Sequence, residues 1–324
     1  MLAITTILLL AATAASAELN DVERTWFAVG PNYNMIQVNN QTRSLLDDAR
    51  THPNLTRSVK FNPYDTVLES QWNNDIKFVE WEWRVNVSEF AVPNARLPDK
   101  PDTIPRMIST TYDISWPSGG NMSEQLKNDT VPFCVRAHYF DKGLSRNVTN
   151  AFTEEDADDT SCSSVLGTEC VSAIMQQELM VNGTCQHPDT PWSRLPACSD
   201  SFGFSVEDRK AQATMWGMAD LNGPRNGSDG TDWQYQSGGQ IFSSTTSIFD
   251  PGADDAGRLF RNESRALQVI VLSTVPPSEN KQEAVKLLCM RVDTADFEGS
   301  AARPLLGLGS LAVVLLATAL VMGL

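Results

Sequence analysis

The feature that most constrains the fold is a run of alternating apolar and polar residues at positions 76–90. The apolar series consists of Val79, Trp81, Trp83, Val85 and Val87, and the alternate positions carry Phe78, Glu80, Glu82, Arg84, Asn86 and Ser88. Successive side chains of a strand point to opposite faces of a sheet. The pattern therefore predicts a half-buried strand whose valines and tryptophans lie in the core.

Shorter segments of strand character recur along the chain between clusters of Gly, Pro, Asn and Ser. They lie at residues 25–29, 35–38, 107–116, 131–140, 213–218, 233–242, 267–274 and 285–292. Many short strands separated by turn signals are typical of β-sandwiches. We therefore expect a mainly β chain that folds as one antiparallel β-sandwich-like domain, with the strand at 76–90 near its centre.

Six cysteines, an even number, predict three disulfides in an oxidising compartment. They are Cys134, Cys162, Cys170, Cys185, Cys198 and Cys289. Sequence does not choose among the many pairings that six cysteines allow. We expect a bridge between Cys134 and Cys289, because each lies in a strand-like segment, and we expect the other four cysteines to cross-link one subregion.

That subregion, residues 141–200, is expected to be a small disulfide-stapled insertion with a helix. Val171, Ile174, Met175 and Leu179 have helical spacing, which predicts a helix over 169–181. An acidic run at 154–159 precedes it. A calcium site is one interpretation of the run, but it lacks the alternating ligands and central glycine of an EF-hand loop. A solvated acidic loop is the interpretation that we favour.

Both chain ends carry signals of the secretory pathway. Residues 1–17 combine an apolar run with a final Ala-Ser-Ala, which is typical of a cleaved signal peptide. Residues 305–324 are uncharged and follow small residues, a pattern that favours a GPI anchor attached at Ser300 or Gly299. The expected domain is then 18–300, with 301–324 removed as a propeptide. A retained transmembrane span is the alternative.

Nine Asn-x-Ser/Thr sequons predict a glycoprotein. They are Asn40, Asn54, Asn86, Asn121, Asn128, Asn147, Asn182, Asn226 and Asn262. Asn86 lies on the polar side of the alternating strand, so we expect it to face solvent. The formal net charge of −15 argues against nucleic acid as a partner and against a basic lipid-binding patch.

The candidates for chemistry are Glu80 and Glu82. Residues two apart on a strand face the same way, about 6.5–7 Å apart, and paired carboxylates at such separations serve glycoside hydrolysis. Trp81 and Trp83 point to the opposite face, so a sugar stacked on them would not meet the two glutamates. No nucleophile, zinc or phosphate-binding motif occurs. We therefore expect no metal and no cofactor.

The cysteine-rich segment resembles uncharacterised secreted glycoproteins of filamentous fungi. The resemblance rests on residues 162–174, where Cys162 and Cys170 are seven residues apart and Val171 and Ile174 follow, with Cys185 and Cys198 further on and residues 287–292 near the end. It covers roughly the C-terminal half of the mature chain. It implies a fungal surface location and carries no activity or functional residues.

These observations favour a non-enzymatic glycoprotein held by a GPI lipid on the extracellular face of the plasma membrane or in the cell wall. Its expected roles are wall organisation, adhesion or host contact, with a wall polysaccharide or a surface protein as partner. The alternative is a wall-remodelling glycoside hydrolase or carbohydrate-binding module that uses Glu80 and Glu82.

Overall fold

The computed structural model describes the body of the chain in segments. They are residues 25–29, 40–66, 79–117, 119–122, 133–140, 146–177, 180–181, 184–186, 190, 192–202, 214–221, 225–226, 232–253, 256–275 and 283–296. Several expected features lie outside the described residues: the signal peptide at 1–17, the strand at 35–38, the sequons at Asn128 and Asn182, the attachment residues Gly299 and Ser300, and the tail at 301–324.

Most regular structure is extended. The strands are β1 (Thr25–Val29), β2 (Leu55–Phe61), β3 (Trp81–Ala91), β4 (Arg106–Ser115), β5 (Cys134–Phe140), β6 (Met180–Val181), β7 (Thr184–Cys185), β8 (Thr214–Asp220), β9 (Arg225–Asn226), β10 (Asp232–Trp233), β11 (Gly239–Thr246), β12 (Gln268–Thr274) and β13 (Ala284–Met290). The helices are α1 (Asn40–Thr51), α2 (Arg146–Thr149), α3 (Glu154–Asp159), α4 (Ser163–Leu166), α5 (Thr168–Met175), α6 (Ser199–Phe202) and α7 (Ala256–Arg265), with 3-10 turns at Trp192–Arg194 and Pro196–Cys198.

Two antiparallel sheets form the body. The first sheet has the strand order β1-β11-β4-β3-β2, and the second has the order β13-β12-β5-β8. Every paired strand in both sheets runs antiparallel to its neighbour. Two small ribbons, β6–β7 and β9–β10, lie outside these sheets. The expected mainly β, antiparallel sandwich-like domain is confirmed.

Aromatic side chains join the two sheets at the inner core. Trp81 of β3 stacks on Phe133, the residue before β5, with ring centroids 4.5 Å apart. Trp83 meets Tyr112 edge-on at 6.1 Å, and Tyr112 meets Phe242 in the same way at 6.2 Å. Such pairs contribute about 0.5–1.5 kcal/mol each beyond the apolar area that they bury. The apolar face of β3 therefore lies in the core, as its alternation predicts.

Strand β3 is an interior strand of the first sheet, next to the edge strand β2, because both of its edges are paired. Its register with β4 runs from Glu82 opposite Ser115 to Ala91 opposite Arg106, and β2 pairs along the other edge. Beyond Ala91 the ladder closes with a hydrogen bond from the Val92 N–H to the Pro105 carbonyl. The proline-containing residues between these two positions form the connection to β4.

The outward face of the second sheet is covered by the cap, which we define as the described residues from 146 to 202. Val269, Val271 and Leu287 on this face pack in one cluster with apolar residues of the cap. The cap contributes Val148, Phe152, Ala157, Val165, Leu166, Ile174 and Trp192. The second sheet is therefore buried on both faces.

All six cysteines form disulfides, as expected, in the pairs Cys134–Cys185, Cys162–Cys289 and Cys170–Cys198. The expected Cys134–Cys289 bridge is wrong. Strand β12 lies between β5 and β13, and two strand spacings are about 9.6 Å. That separation exceeds the Cα–Cα range of a disulfide. Only Cys170–Cys198 joins two residues of the cap, and the other two bridges fasten the cap to β5 and β13.

Two helices outside the cap, α1 and α7, were not expected from the sequence. Helix α1 buries Leu46 and Ala49 and packs on the first sheet. Helix α7 buries Ala256 and Leu259 in the inner core. Both helices are polar overall, with few apolar residues in each, so neither has the broad apolar stripe of a typical core-facing helix.

The cap also differs in detail from the sequence interpretation. The acidic run forms helix α3, at whose start the Thr153 N–H donates to Asp156 Oδ2 at 2.8 Å. Acidic residues in a first turn complement the helix dipole. The helix expected over 169–181 ends at Met175, and Met180 already belongs to β6. The strand expected over 233–242 is split by a turn in which Gly238 has a φ of 75°.

The cap bridges give a first stability prediction. Cys162 and Cys289 are separated by 127 residues and Cys170 and Cys198 by 28. In the chain-entropy description, replacing the first pair by alanines should destabilise the protein by about 1 kcal/mol more than replacing the second. Urea unfolding of the two double variants, in the same non-reducing buffer, would measure this difference. Equal losses, or a larger loss for Cys170–Cys198, would contradict it.

Candidate functional site

Glu80 and Glu82 lie at the beginning of β3, beside a lysine. Glu80 precedes the strand, and its Oε1 is 2.7 Å from the Nζ of Lys60, with both side chains exposed. Lys60 is also the cross-strand partner of Glu82 in the β2–β3 register. The hydrogen bond and charge of Glu80, with a smaller contribution from Glu82, raise the pKa of Lys60. The two glutamates therefore belong to a surface charge ladder.

This arrangement differs from that of a glycosidase acid–base pair. The acid of such a pair must keep its proton near neutral pH, which requires a carboxyl whose ionised form is disfavoured. The Oε1 of Glu80 instead lies in an exposed ion pair with the Nζ of Lys60. Trp81 and Trp83 are buried at 3% and 0% exposure, so neither indole is available to stack on a sugar ring.

The polar face of β3 is a buried hydrogen-bond network rather than a solvated surface. Asn86 is its hub: its Oδ1 accepts from Thr56 Oγ1 at 2.7 Å, and its Nδ2 donates to Thr111 Oγ1 at 3.3 Å and to Asp113 Oδ2 at 3.0 Å. The residue is only 2% exposed. The expectation that Asn86 faces solvent is therefore wrong, because side chains from β2 and β4 enclose it.

Helix α1 completes the enclosure of this face. Leu46 and Ala49 of this helix are buried, and Ser88 Oγ of β3 donates to the Ala49 carbonyl at 2.6 Å. Farther across the sheet, the buried members are small polar residues of β4 and β11: Ser109, Thr111, Gln240, Ser243 and Thr245. The helix carbonyl thus accepts from the Ser88 hydroxyl, and the Asn86 amide donates to the Thr111 hydroxyl.

Asp113 is the buried carboxylate of the network. Its Oδ2 accepts from Arg84 Nη2 at 2.9 Å and from Asn86 Nδ2, and its side chain is 1% exposed. Its Oδ1 is buried without a hydrogen-bond partner in the part of the chain that the structure describes. Burial raises the pKa of Asp113, although the hydrogen bonds and charges of Arg84 and the more distant charge of Arg50 act in the opposite direction.

A buried cation lies between the second sheet and the cap. Arg136 of β5 is fully buried, with its guanidinium carbon 4.6 Å from the centroid of the Trp192 ring. Its Nη2 donates to Gln177 Oε1 at 3.0 Å, and Gln177 Nε2 donates to the Thr190 carbonyl at 2.8 Å. Burial lowers the pKa of Arg136 to about 9. The sequence does not predict this contact, because Arg136 and Trp192 lie in different segments of the chain.

The sequons fall in different environments. Asn54 is exposed, and Asn121 and Asn262 are half-buried. Asn40 lies in α1, Asn147 in α2 and Asn226 in β9. Glycosylation of these residues stays a prediction.

Neither a metal site nor a membrane span is present in the described residues. No group of three or more His, Cys, Asp and Glu side chains there is placed to hold a metal ion. Every helix within those same segments is too short or too polar to cross a membrane.

Comparisons of the chain with protein-family models, with curated proteins and with solved structures gave no match. Function must therefore be inferred from the residues of this chain.

Asp113 gives a prediction about pH. Because burial raises its pKa above the ordinary value of 3.8, the folded state binds the proton more tightly than the unfolded state. The stability of the native chain relative to Asp113→Asn should be greatest below the unfolded pKa and should fall as the pH rises through the folded pKa. Urea unfolding followed by tryptophan fluorescence, between about pH 3 and pH 7, measures this dependence.

Asp250 supplies the matched control. A hydrogen bond from Lys100, followed by one from the Gly252 N–H, lowers the pKa of Asp250. The stability that Asp250 contributes should therefore be present above its unfolded pKa and be lost as the pH falls through the folded value. The stability of the native chain relative to Asp250→Asn should thus rise with pH, opposite to its stability relative to Asp113→Asn. The same slope for both variants would refute the assignment at Asp113.

Proposed function

We propose that this chain is a non-enzymatic cell-surface glycoprotein, anchored through a GPI lipid and acting in wall organisation, adhesion or host contact. The observation that carries the proposal is the cross-linking of the body by three disulfides that include every cysteine. Disulfides of this kind persist in secreted proteins and are rare in reducing compartments. They agree with the signal-peptide pattern and the apolar tail of the sequence.

The geometry around Glu80 supports the non-enzymatic part of the proposal. Lys60 contacts Glu80 directly and faces Glu82 across the β2–β3 ladder. Glu80 is thus engaged in an ion pair, whereas the acid of a glycosidase must deliver a proton to the leaving group. Exposed ion pairs of this type contribute only about 0.2–1 kcal/mol to stability and are common on protein surfaces.

The proposed partners follow from charge and compartment. A net charge of −15 disfavours adsorption on anionic lipid, so membrane contact is assigned to the covalent lipid rather than to a basic patch. The partner in the extracellular space would be a wall polysaccharide or another surface protein. A location on a fungal surface is part of the same proposal, suggested by the cysteine-rich segment.

The second candidate is a wall-remodelling glycoside hydrolase or carbohydrate-binding module that uses Glu80 and Glu82. The observation in its favour is that Glu80 is exposed and stands close in sequence and in space to the half-buried Glu82. The Lys60 ion pair counts against the hydrolase form of this candidate, since the acid would have to compete with a bound ammonium group.

The anchor can be tested on intact cells. Treatment with a phosphatidylinositol-specific phospholipase should release the protein into the medium, and replacing both Gly299 and Ser300 by bulky residues should prevent its surface attachment. Release is followed by immunoblotting, with a protein held by a transmembrane span as control. Retention after phospholipase treatment, together with a C-terminal peptide from residues 305–324 in the mature protein, would contradict a GPI anchor.

Activity can be tested on the protein that the phospholipase releases. We expect no turnover of wall polysaccharides by the native chain and no difference between it and Glu80→Gln. Reducing-sugar release and a glycan array are the two measurements, and Glu82→Gln and Lys60→Met are matched variants of the same ladder. Hydrolysis that Glu80→Gln abolishes would establish the enzyme instead, and glycan binding without turnover would favour the binding module.

A further inference from the structure

Two sequons face each other across the β2–β3 ladder. Asn54 immediately precedes β2 and belongs to the sequon that ends at Thr56, whereas Asn86 lies within β3 and belongs to the sequon that ends at Ser88. Thr56 and Asn86 are direct cross-strand partners. The hydroxyl of the first sequon therefore contacts the asparagine of the second, with Thr56 Oγ1 donating to Asn86 Oδ1.

The Asn86 side chain has no room for a sugar in the folded protein. Its Nδ2 carries two hydrogens, and the structure uses this atom to donate to both Thr111 Oγ1 and Asp113 Oδ2. An N-linked sugar replaces one of these hydrogens, so one hydrogen bond of a 2% exposed amide would be lost. The sugar ring would also have to occupy the space between β3, β4 and helix α1.

Asn54 is in the opposite situation. The residue is exposed, and its Oδ1 accepts from the Glu89 N–H at 2.7 Å, which fixes the orientation of the amide. Its Nδ2 makes no hydrogen bond with any residue that the structure describes. A glycan on this atom breaks no contact, and the bond from Glu89 holds its first sugar at the start of β2.

From this contrast we propose that Asn54 carries a glycan and that Asn86 stays unmodified and serves as a structural amide. The proposal rests on the secretory location in the proposed function, since only a secreted chain meets the glycosylation machinery. The proposal thus assigns different fates to two sequons that both match the Asn-x-Ser/Thr motif.

Chain order makes protection of Asn86 possible during synthesis. The partner of its Oδ1 is Thr56, and the partner of the Ser88 hydroxyl is the Ala49 carbonyl. Both partners precede Asn86 in the chain. Pairing of β3 with β2 and α1 can therefore engage the asparagine and the hydroxyl of this sequon before β4 supplies Thr111 and Asp113. A sequon whose asparagine and hydroxyl are engaged is a poor acceptor, because transfer requires both groups.

A glycan on Asn54 would also protect the edge of the first sheet. Strand β2 is the outer strand, and Leu55 at its beginning is 38% exposed. Open edges with exposed apolar residues pair readily with other chains. A bulky sugar next to Leu55 would hinder such pairing at the end of β2 that lies farthest from Lys60.

Sequon occupancy in the secreted full-length protein tests the proposal. The denatured protein is treated with peptide-N-glycosidase in ¹⁸O-water, which converts each glycosylated asparagine into a labelled aspartate, and the peptides are analysed by mass spectrometry. We expect the label at Asn54 and unlabelled asparagine at Asn86. A label at Asn86 in folded protein, or unlabelled Asn54, would overturn the proposal.

Three variants sharpen the result. Asn54→Gln should lose one glycan and remain folded, and Thr56→Ser should keep both the sequon and the hydroxyl donor to Asn86. Ser88→Ala destroys the second sequon without changing Asn86, so its total glycan mass should equal that of the native chain. A glycan lost from Ser88→Ala would contradict the proposal even if a direct replacement of Asn86 fails to fold.

The occupancy of the remaining sequons shows whether a negative result contradicts this proposal alone or the proposed function as well. If Asn262 and every other sequon are also bare, the glycoprotein part of the proposed function fails and this proposal fails with it. If Asn262 or another sequon carries a glycan while Asn86 is labelled or Asn54 is bare, only the assignment of the two facing sequons is wrong.

Discussion

The stacking of Trp81 on Phe133 is the contact on which the body depends, because it joins the two sheets at one end of the inner core. Trp81 is held by β3, the most extensively paired strand of the first sheet, and Phe133 leads into β5 in the middle of the second. Apolar residues from both sheets continue the same cluster. Fixing these two rings therefore sets the relative position of the sheets, and the remaining layers are added to their outer faces.

The two outer faces are covered by different means. The second sheet presents apolar residues, and the cap buries them with its own apolar side chains and with two disulfides to the sheet. The first sheet presents small polar residues beside Asp113, and helix α1 covers this face, with one hydrogen bond from Ser88 to the Ala49 carbonyl. Buried polar groups are costly unless they are hydrogen-bonded. The amide of Asn86 meets much of this demand, because it makes three hydrogen bonds to side chains.

The sequence predicted what depends on local alternation and missed what depends on strand order or on a covering element. Strand β3 was predictable because its tryptophans and valines alternate with polar residues from Trp81 to Val87. The burial of Asn86 was not, since α1 has few apolar residues and nothing in its sequence shows that it packs on β3. The disulfide pairing required knowing that β12 separates β5 from β13. The sequence showed that Glu80 and Glu82 lie on the same face of the strand. It did not show the ion pair with Lys60, because Lys60 belongs to another strand.

The bridge between Cys162 and Cys289 has a mechanical consequence for a protein held by its C terminus. Strand β13 is the outer strand of the second sheet, and the chain leaves it at Met290, opposite the start of β12. Tension applied from that side would break the hydrogen bonds between β13 and β12 one after another. A strand pair resists force least when its bonds break in sequence. Cys289 is the second residue from that end, so its covalent link would transfer the load to the cap once the Met290–Gln268 pair has opened. Under the proposed surface anchor, flow or contact forces would then act on the whole body rather than on β13 alone.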